Sequence, residues 1–202
     1  MIFSPFLNKY LFSEKKSDYN LTVQDMRAKK IVLTPLISAG EIKKRVKSLA
    51  AEIDSFFEAD DIIALGVLKG ALFFMSDLLK QMRNDMIYDF IQAKSYEGTL
   101  STKSVKILKE PNLNLHKKRV LLIEDILDTG FTLKGIINYL DGKKVKDIYI
   151  CTLLDKKGRR EVNIKADFIG FEIDNLFVVG YGLDYDEKFR NLKNISVLNI
   201  IS

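Results

Sequence analysis

Residues Val120–Leu133 read Val-Leu-Leu-Ile-Glu-Asp-Ile-Leu-Asp-Thr-Gly-Phe-Thr-Leu, and this stretch decides the fold class of the chain. The apolar run Val120–Ile123 predicts a buried strand, and it leads directly into the carboxylates Glu124 and Asp125. A turn that contains glycine then precedes a helical pattern over Thr132–Leu140. A strand, a turn and a helix in succession form the repeating unit of an α/β fold.

The same succession recurs through the rest of the chain. Ser38 and Glu41 have the spacing of a capping box, and apolar residues at helical intervals follow over residues 42–57. Further strands are predicted over Ile62–Gly66, Met86–Ile91, Asp147–Leu154 and Phe168–Phe171, with a helix between Gly70 and Met82. Because apolar strands alternate with helices, we predict an α/β fold with a mostly parallel central sheet flanked by helices.

The length of 202 residues predicts a single domain over residues 1–202. We expect a core of about residues 36–174 and a small hood subdomain built from the chain ends, about residues 1–35 and 175–202. The net charge is +5, but the basic residues are dispersed, as on an ordinary solvated surface. Cys151 is the only cysteine and lies in an apolar stretch, which indicates a core thiol in a reducing compartment. No signal peptide or membrane span is apparent, so we expect a soluble cytoplasmic protein.

The residues after the strand Val120–Ile123 suit a phosphorylated sugar. Ligands of open parallel sheets bind at the carboxyl ends of the strands, where Glu124 and Asp125 are expected to emerge. Beyond them, the segment Asp128–Thr132 offers hydroxyls, a glycine and the backbone N–H groups of a helix N-terminus, which together form a phosphate cradle. The alternative is a plain strand followed by a helix that Asp128 or Thr129 caps. The glycine motifs of dinucleotide and Walker-type nucleotide sites are absent from the sequence.

A polar stretch over Lys94–Lys109 is too long for a tight connection between neighbouring strands. It is either a lid over the site or an ordinary hairpin.

The segment Val120–Leu133 resembles the phosphoribosyl pyrophosphate signature of type I phosphoribosyltransferases, and Glu124–Gly130 resembles their hypoxanthine-guanine branch. The resemblance extends from about Ser38 to Leu198 through several separate motifs in the order of the family. The resemblance implies a mostly parallel central sheet flanked by helices, together with a small hood subdomain built from the chain ends.

The resemblance also implies roles for individual residues. Asp128 would act as the base near purine N7, and Glu124 and Asp125 would bind the ribose hydroxyls. The 5-phosphate would be held by Thr129, Gly130 and Thr132. Pyrophosphate would meet Arg190 and a loop of Leu68, Lys69 and Gly70 whose Leu68-Lys69 peptide is expected to be cis.

The remaining implied roles concern the base, the metal and the lid. Lys156 would contact the purine 6-oxo group, with the neighbouring Lys157 as the alternative. Phe177 would stack on the base, and Val178 would offer backbone groups to its edge. Asp184 would also line the purine site. Magnesium would be bound by Asp184, Glu124 and Asp125, and the lid would begin at Ser95 and Tyr96.

The implied activity is Mg²⁺-dependent transfer of phosphoribosyl from phosphoribosyl pyrophosphate to hypoxanthine and guanine. We expect a homodimer or homotetramer, without a nucleic-acid or membrane partner. Two alternatives remain open. The first is another enzyme of the superfamily, acting on orotate, adenine or xanthine. The second is a non-catalytic regulator that senses phosphoribosyl pyrophosphate or binds RNA.

Overall fold

A computed structural model gives the fold and describes residues 21–24, 30–57, 62–96 and 104–201. In these ranges the helices are α1 (Ala39–Phe57), α2 (Leu72–Gln81) and α3 (Phe131–Gly142), with one turn of 3₁₀ helix at Lys157–Arg159. The strands are β1 (Leu21–Gln24), β2 (Lys30–Ile37), β3 (Ile62–Leu68), β4 (Ile87–Tyr96), β5 (Ser104–Lys109), β6 (Arg119–Leu127), β7 (Asp147–Asp155), β8 (Phe168–Glu172), β9 (Val178–Val179) and β10 (Ile195–Ile201).

Six of these strands form the central sheet, in the order β5-β4-β3-β6-β7-β8. All neighbours are parallel except β4 and β5, which are antiparallel. The strand β3 is apolar throughout, and β6 is apolar over Val120–Ile123, because both faces of the sheet are covered there. Ile53 of α1 and Phe74 of α2 pack in the apolar cluster on one face, and Ile136 of α3 packs in the cluster on the other. The expected α/β architecture is therefore confirmed.

The first helix begins with the predicted capping box. The backbone N–H of Ser38 donates to Oε2 of Glu41 over 2.8 Å, and the N–H of Glu41 donates to Oγ of Ser38 over 3.2 Å. The apolar face of α1 is buried against the sheet, as its periodicity predicted. No helix in the described ranges is long and apolar enough to cross a membrane.

A second, antiparallel sheet has the order β1-β2-β10-β9 and joins strands from both ends of the described chain. Its register pairs Leu33 with Leu198, and these two residues are buried with Ile31 and Val179 in a separate small cluster. This sheet fits the expected hood. It also fixes the position of Phe177, whose carbonyl accepts a hydrogen bond from the N–H of Leu198 at 2.9 Å.

Two predicted strand ends need correction. The strand β6 continues to Leu127 because β7 pairs with it as far as Asp155, so Glu124 and Asp125 lie within the strand and not beyond it. The strand β4 continues to Tyr96 because β5 pairs with it, so residues 94–96 and 104–109 belong to paired strands and not to a connection between strands. The predicted tip of the lid falls partly on residues 97–103, which lie outside the described residues.

Candidate active site

Three separate segments of the chain meet at Gly70, in the turn after β3. A Cβ atom on Gly70 would lie 1.8 Å from Oδ2 of Asp125, and a Cβ on Gly182 would lie 2.0 Å from the carbonyl oxygen of Gly70. Gly182 has φ +107°, a conformation that suits glycine. The Leu68-Lys69 peptide is cis, as the family resemblance implied. The predicted pyrophosphate loop, the end of β6 and the turn at Gly182 therefore lie in direct contact.

The carboxylates of Glu124 and Asp125 are almost completely buried, at 7% and 9% exposure. The N–H of Asp125 donates to Oε1 of Glu124 at 3.3 Å, and the N–H of Ile126 donates to Oδ1 of Asp125 at 3.0 Å. Burial, and next the negative charge of Asp125, raise the pKa of Glu124 well above its ordinary value. Glu124 can therefore hold a proton at a higher pH than an ordinary carboxyl group, which lowers the negative charge of the pair.

The turn Asp128–Thr132 has the geometry of an anion site. Gly130 is the N-cap residue of α3, with φ +89° and no side chain to bond the first turn, so the alternative of a helix capped by Asp128 or Thr129 is wrong. The first N–H groups of a helix lack partners within the helix and can bind a phosphate. The hydroxyl oxygens of Thr132 and Ser95 lie 2.8 Å apart, which joins this turn to the end of β4.

Asp128 lies between two cations. Its Oδ2 is 3.7 Å from Nζ of Lys156, and its Oδ1 is 3.1 Å from Nε of Arg159. This second contact lacks hydrogen-bond geometry, and the buried Oδ1 accepts no hydrogen bond from any described residue. Lys156 is 7% exposed, whereas Lys157 is exposed and pairs with Glu172. The structure therefore brings Lys156, and not Lys157, to Asp128.

Arg190 and Lys69 are both paired with carboxylates. Nη2 of Arg190 lies 2.8 Å from Oδ1 of Asp184, and Nη1 donates to the carbonyl of Gly182 at 2.7 Å. Nζ of Lys69 donates to Oε2 of Glu187 at 2.8 Å. The hydrogen bond from Lys69 is the main cause that lowers the pKa of Glu187. The two cations predicted to meet pyrophosphate thus share one acidic segment, residues 184–187.

The predicted base-stacking residue, Phe177, is 54% exposed and packs edge-to-face on Tyr185, with ring centroids 5.8 Å apart. An exposed aromatic face suits a planar base. Val178 is buried in β9 and pairs with Val197. Both predicted base contacts are therefore positioned by the second sheet, while Asp128 and Lys156 follow strands of the central sheet.

The predicted metal ligands do not form a cage of protein atoms. In the part of the chain that the structure describes, no group of three or more His, Cys, Asp or Glu side chains is arranged to hold a metal ion. Magnesium is commonly held by one or two carboxylates together with water and substrate phosphates. Asp184 and the pair Glu124 and Asp125 fit this mode of binding.

Sequence reasoning missed three residues of this region, Arg159, Tyr185 and Glu187. Arg159 lies in the 3₁₀ turn after Lys156, Tyr185 directly follows Asp184, and Glu187 lies three residues after Asp184. Glu187 has φ +61°, which local sequence patterns do not indicate. Their closeness in sequence to predicted site residues was the only available signal.

Comparisons with known proteins agree with this geometry. Residues 37–186 match the family model described as the phosphoribosyl transferase domain. A hypoxanthine-guanine phosphoribosyltransferase of Bacillus subtilis (strain 168) is 48% identical over 164 residues, which cover 81% of this chain and 91% of that protein. The enzyme of the same name from Aquifex aeolicus (strain VF5) is 43% identical over 175 residues, covering 86% and 97%.

A crystal structure of a hypoxanthine phosphoribosyltransferase from Staphylococcus aureus shares the fold, with a TM-score of 0.78 and 40% identity. The match covers 82% of this chain and 90% of that structure. A matched family model over most of the chain and relatives above 40% identity lead to one conclusion: the chain belongs to the phosphoribosyltransferase family.

Proposed function

We propose that this protein is a purine-salvage enzyme. It transfers the 5-phosphoribosyl group of phosphoribosyl pyrophosphate to N9 of hypoxanthine and of guanine, giving IMP or GMP and pyrophosphate. The observation that carries the proposal is the position of Asp128, which lies between the end of β6 and the N-cap of α3 in sequence and has its Oδ2 3.7 Å from Nζ of the buried Lys156. The relatives named hypoxanthine-guanine phosphoribosyltransferase, at 43% and 48% identity, support this choice of base.

The ribose 5-phosphate binds at the end of β6. The backbone N–H groups at the start of α3, including the turn at Gly130, and the hydroxyls of Thr129 and Thr132 hold the 5-phosphate. Glu124 and Asp125 bind the ribose hydroxyls.

The reaction is a displacement at the anomeric carbon of the ribose. The lone pair of purine N9 forms the new C–N bond while the bond to the pyrophosphate oxygen breaks. The proton on N7 passes to the carboxylate of Asp128, which acts as general base. Lys156 donates to the 6-oxo group, Phe177 stacks on the ring and Val178 meets its edge. Because a 6-amino group would face the ammonium with further donors, adenine is disfavoured.

The pyrophosphate is held by Lys69, Arg190 and the backbone of the loop Leu68–Gly70. Asp184, together with Glu124 and Asp125 and the substrate oxygens, would hold Mg²⁺. When bound, this ion neutralises the charge that develops on the departing pyrophosphate. The hairpin that carries Ser95 and Tyr96 closes over the site and excludes water, which would otherwise compete with the base.

We place the enzyme in the cytoplasm as a homodimer or homotetramer. Cys151 is the only cysteine and is buried, which fits a reducing compartment. Leu72 and Phe73 are exposed at 45% and 40%, and neighbouring apolar side chains at a surface are common in subunit interfaces. Light scattering of the purified protein distinguishes the two assemblies.

A turnover assay tests the proposed function. The protein is incubated with MgCl₂, phosphoribosyl pyrophosphate and, separately, hypoxanthine, guanine, xanthine and adenine, and the nucleotide formed is measured. We expect IMP and GMP in quantity and little AMP. Absence of any nucleotide from a protein that still binds phosphoribosyl pyrophosphate would support a non-catalytic regulator, and a gel shift with cellular RNA would then test RNA binding.

A further inference from the structure

The side chain of Glu187 contacts both cations that the proposed function assigns to pyrophosphate. We propose that Glu187 occupies the pyrophosphate subsite of the ligand-free protein, and that the pyrophosphate group must displace it in order to bind. Glu187 thereby lowers the affinity for pyrophosphate and speeds its release as product. This inference rests on the proposed function, which places pyrophosphate at Lys69 and Arg190.

One oxygen atom of Glu187 makes both contacts. Its Oε2 accepts a hydrogen bond from Nζ of Lys69 at 2.8 Å and lies 3.5 Å from Nη2 of Arg190. An anionic oxygen that bridges a lysine and an arginine has the charge and the acceptor geometry of a phosphate oxygen. The carboxylate and the pyrophosphate therefore compete for the same two donors.

The backbone holds Glu187 in this position. Glu187 has φ +61° and Asp186 has φ +52°, values that non-glycine residues rarely adopt. The N–H of Glu187 donates to Oδ2 of Asp184 at 2.9 Å, and Tyr185 and Lys188 are joined by backbone hydrogen bonds in both directions. Unfavourable backbone conformations persist where the surrounding structure holds them, and they often occur at functional sites.

The contact with Lys69 can be exchanged for a ligand. The side chains of Lys69 and Glu187 are 56% and 64% exposed, so solvent and a small anion reach the pair. Exposed ion pairs are weak, and a pyrophosphate group brings several negative oxygens in place of one carboxylate. Arg190, at 22% exposure, is held more firmly by Asp184 and stays in place as the fixed part of the subsite.

Asp186 provides a matched control for this test. It is the adjacent acidic residue, is exposed and also has positive φ, but its carboxylate forms no ion pair with Lys69 or Arg190. Asp186→Asn therefore removes the same charge from the same turn without removing the contact to Lys69. Any general effect of charge on anion binding will be measured in both variants.

The experiment measures binding of inorganic pyrophosphate, with MgCl₂, to the parent protein, Glu187→Gln and Asp186→Asn by titration calorimetry. IMP, which lacks a pyrophosphate group, serves as the control ligand, and thermal melting confirms that each variant is folded. We expect Glu187→Gln to bind pyrophosphate about two- to fivefold more tightly than the parent, the range of an exposed ion pair. Asp186→Asn should change less, and IMP affinity should stay constant. Product inhibition by pyrophosphate should strengthen in Glu187→Gln by the same factor.

The possible outcomes separate this inference from the function on which it rests. Equal pyrophosphate affinity in the parent and Glu187→Gln, equal gains in both variants, or weaker binding by Glu187→Gln would overturn the inference and leave the proposed function intact. Failure of the folded parent protein to bind pyrophosphate would contradict both.

Discussion

The ammonium of Lys156 lies 3.7 Å from Oδ2 of Asp128, and only 7% of this lysine is exposed. Two residues that are proposed to act on different atoms of the purine therefore form one ion pair before any base binds. Residues in direct contact do not contribute independently. A variant that lacks both side chains should lose less activity than the product of the two single losses.

Base preference should depend on Lys156. In Lys156→Gln the charge-assisted hydrogen bond to the 6-oxo group is lost, which is worth ~1.5–3 kcal/mol, and the new amide oxygen can accept from a 6-amino group. We expect kcat/KM with hypoxanthine to fall roughly 10- to 100-fold and the gap to adenine to narrow. Lys157→Gln is the control, since Lys157 is exposed and pairs with Glu172. If Lys157→Gln loses the discrimination between hypoxanthine and adenine and Lys156→Gln keeps it, the 6-oxo group is contacted by Lys157 and the assignment to Lys156 is wrong.

Turnover should depend on Asp128. Asp128→Asn keeps the shape of the side chain but removes the base, so we expect kcat to fall by roughly 10²–10⁴-fold. Binding of phosphoribosyl pyrophosphate should remain largely intact, because Asp128 is proposed to act on the purine. Single-turnover kinetics and calorimetry measure the two quantities separately. A variant with unchanged kcat would remove Asp128 from the mechanism.

Replacement of the loop residue Lys69 should weaken the binding of ligands that carry a pyrophosphate group more than the binding of IMP. Lys69→Ala removes an ammonium that is proposed to face the leaving group. We expect affinity for phosphoribosyl pyrophosphate and pyrophosphate to fall much more than affinity for IMP. Parallel binding titrations with the three ligands provide the measurement. Equal losses for all of them would contradict the placement of Lys69.

Packing at Gly70 should not tolerate a methyl group. A Cβ there would lie 1.8 Å from Oδ2 of Asp125, so Gly70→Ala must displace either the loop or the carboxylate. Overpacking of this kind costs about 1–3 kcal/mol, and binding of phosphoribosyl pyrophosphate should be lost with it. Gly142→Ala is the matched control, because a Cβ at Gly142 meets nothing within 4 Å. Denaturant unfolding and ligand titration of both variants test this, and similar behaviour of the two would refute the packing argument.

Stability should depend on pH through Asp89. Burial alone would raise the pKa of Asp89, but hydrogen bonds from the N–H groups of Phe90, Asn112 and Leu113, and the charge of Lys109, outweigh it and lower the pKa. Because the folded-state pKa is the lower one, this stabilisation is complete above the unfolded-state pKa of about 3.9 and is lost as pH falls through the folded-state value.

Asp89→Asn should therefore destabilise the protein at pH 7 by about 1–3 kcal/mol, and the difference from the parent should shrink in acid. Urea unfolding at several pH values gives both quantities. Asp85→Asn, at an exposed position just before β4, should show neither effect. A constant difference between Asp89→Asn and the parent at all pH values would contradict the assigned cause.

Sequence periodicity predicted the central sheet because its inner strands carry apolar runs that are buried on both faces, as in β3. It placed the end of β6 too early, since Glu124 and Asp125 are polar and their pairing with β7 depends on a strand that begins more than twenty residues later. The end of β4 was also placed too early, because its last residues are polar and pair with β5. Cross-strand pairing extends polar segments that show no local pattern.

The candidate site could be predicted where its functional groups are neighbours in the sequence, as in the turn Asp128–Thr132. The ion pairs of the site were not, because they join segments that only the tertiary fold brings together. Lys69 and Glu187 are separated by 118 residues, and their contact depends on the packing of Gly182 on Gly70. Phe177 was identified from its motif, but its partner Tyr185 was not.

The strand order β1-β2-β10-β9 also has a consequence for synthesis of the protein. The central sheet needs no residue beyond Glu172, whereas β10, the last of the strands, lies between β2 and β9. The ribosome releases the chain from its N-terminus, so early segments are available for folding before late ones. A nascent chain that has exposed Glu172 already contains the phosphate turn, but Phe177 gains its hydrogen bond from Leu198 only after β10 has left the ribosomal exit tunnel. The sugar-phosphate half of the site can therefore form during translation, while the two base contacts Phe177 and Val178 must wait for the final strand.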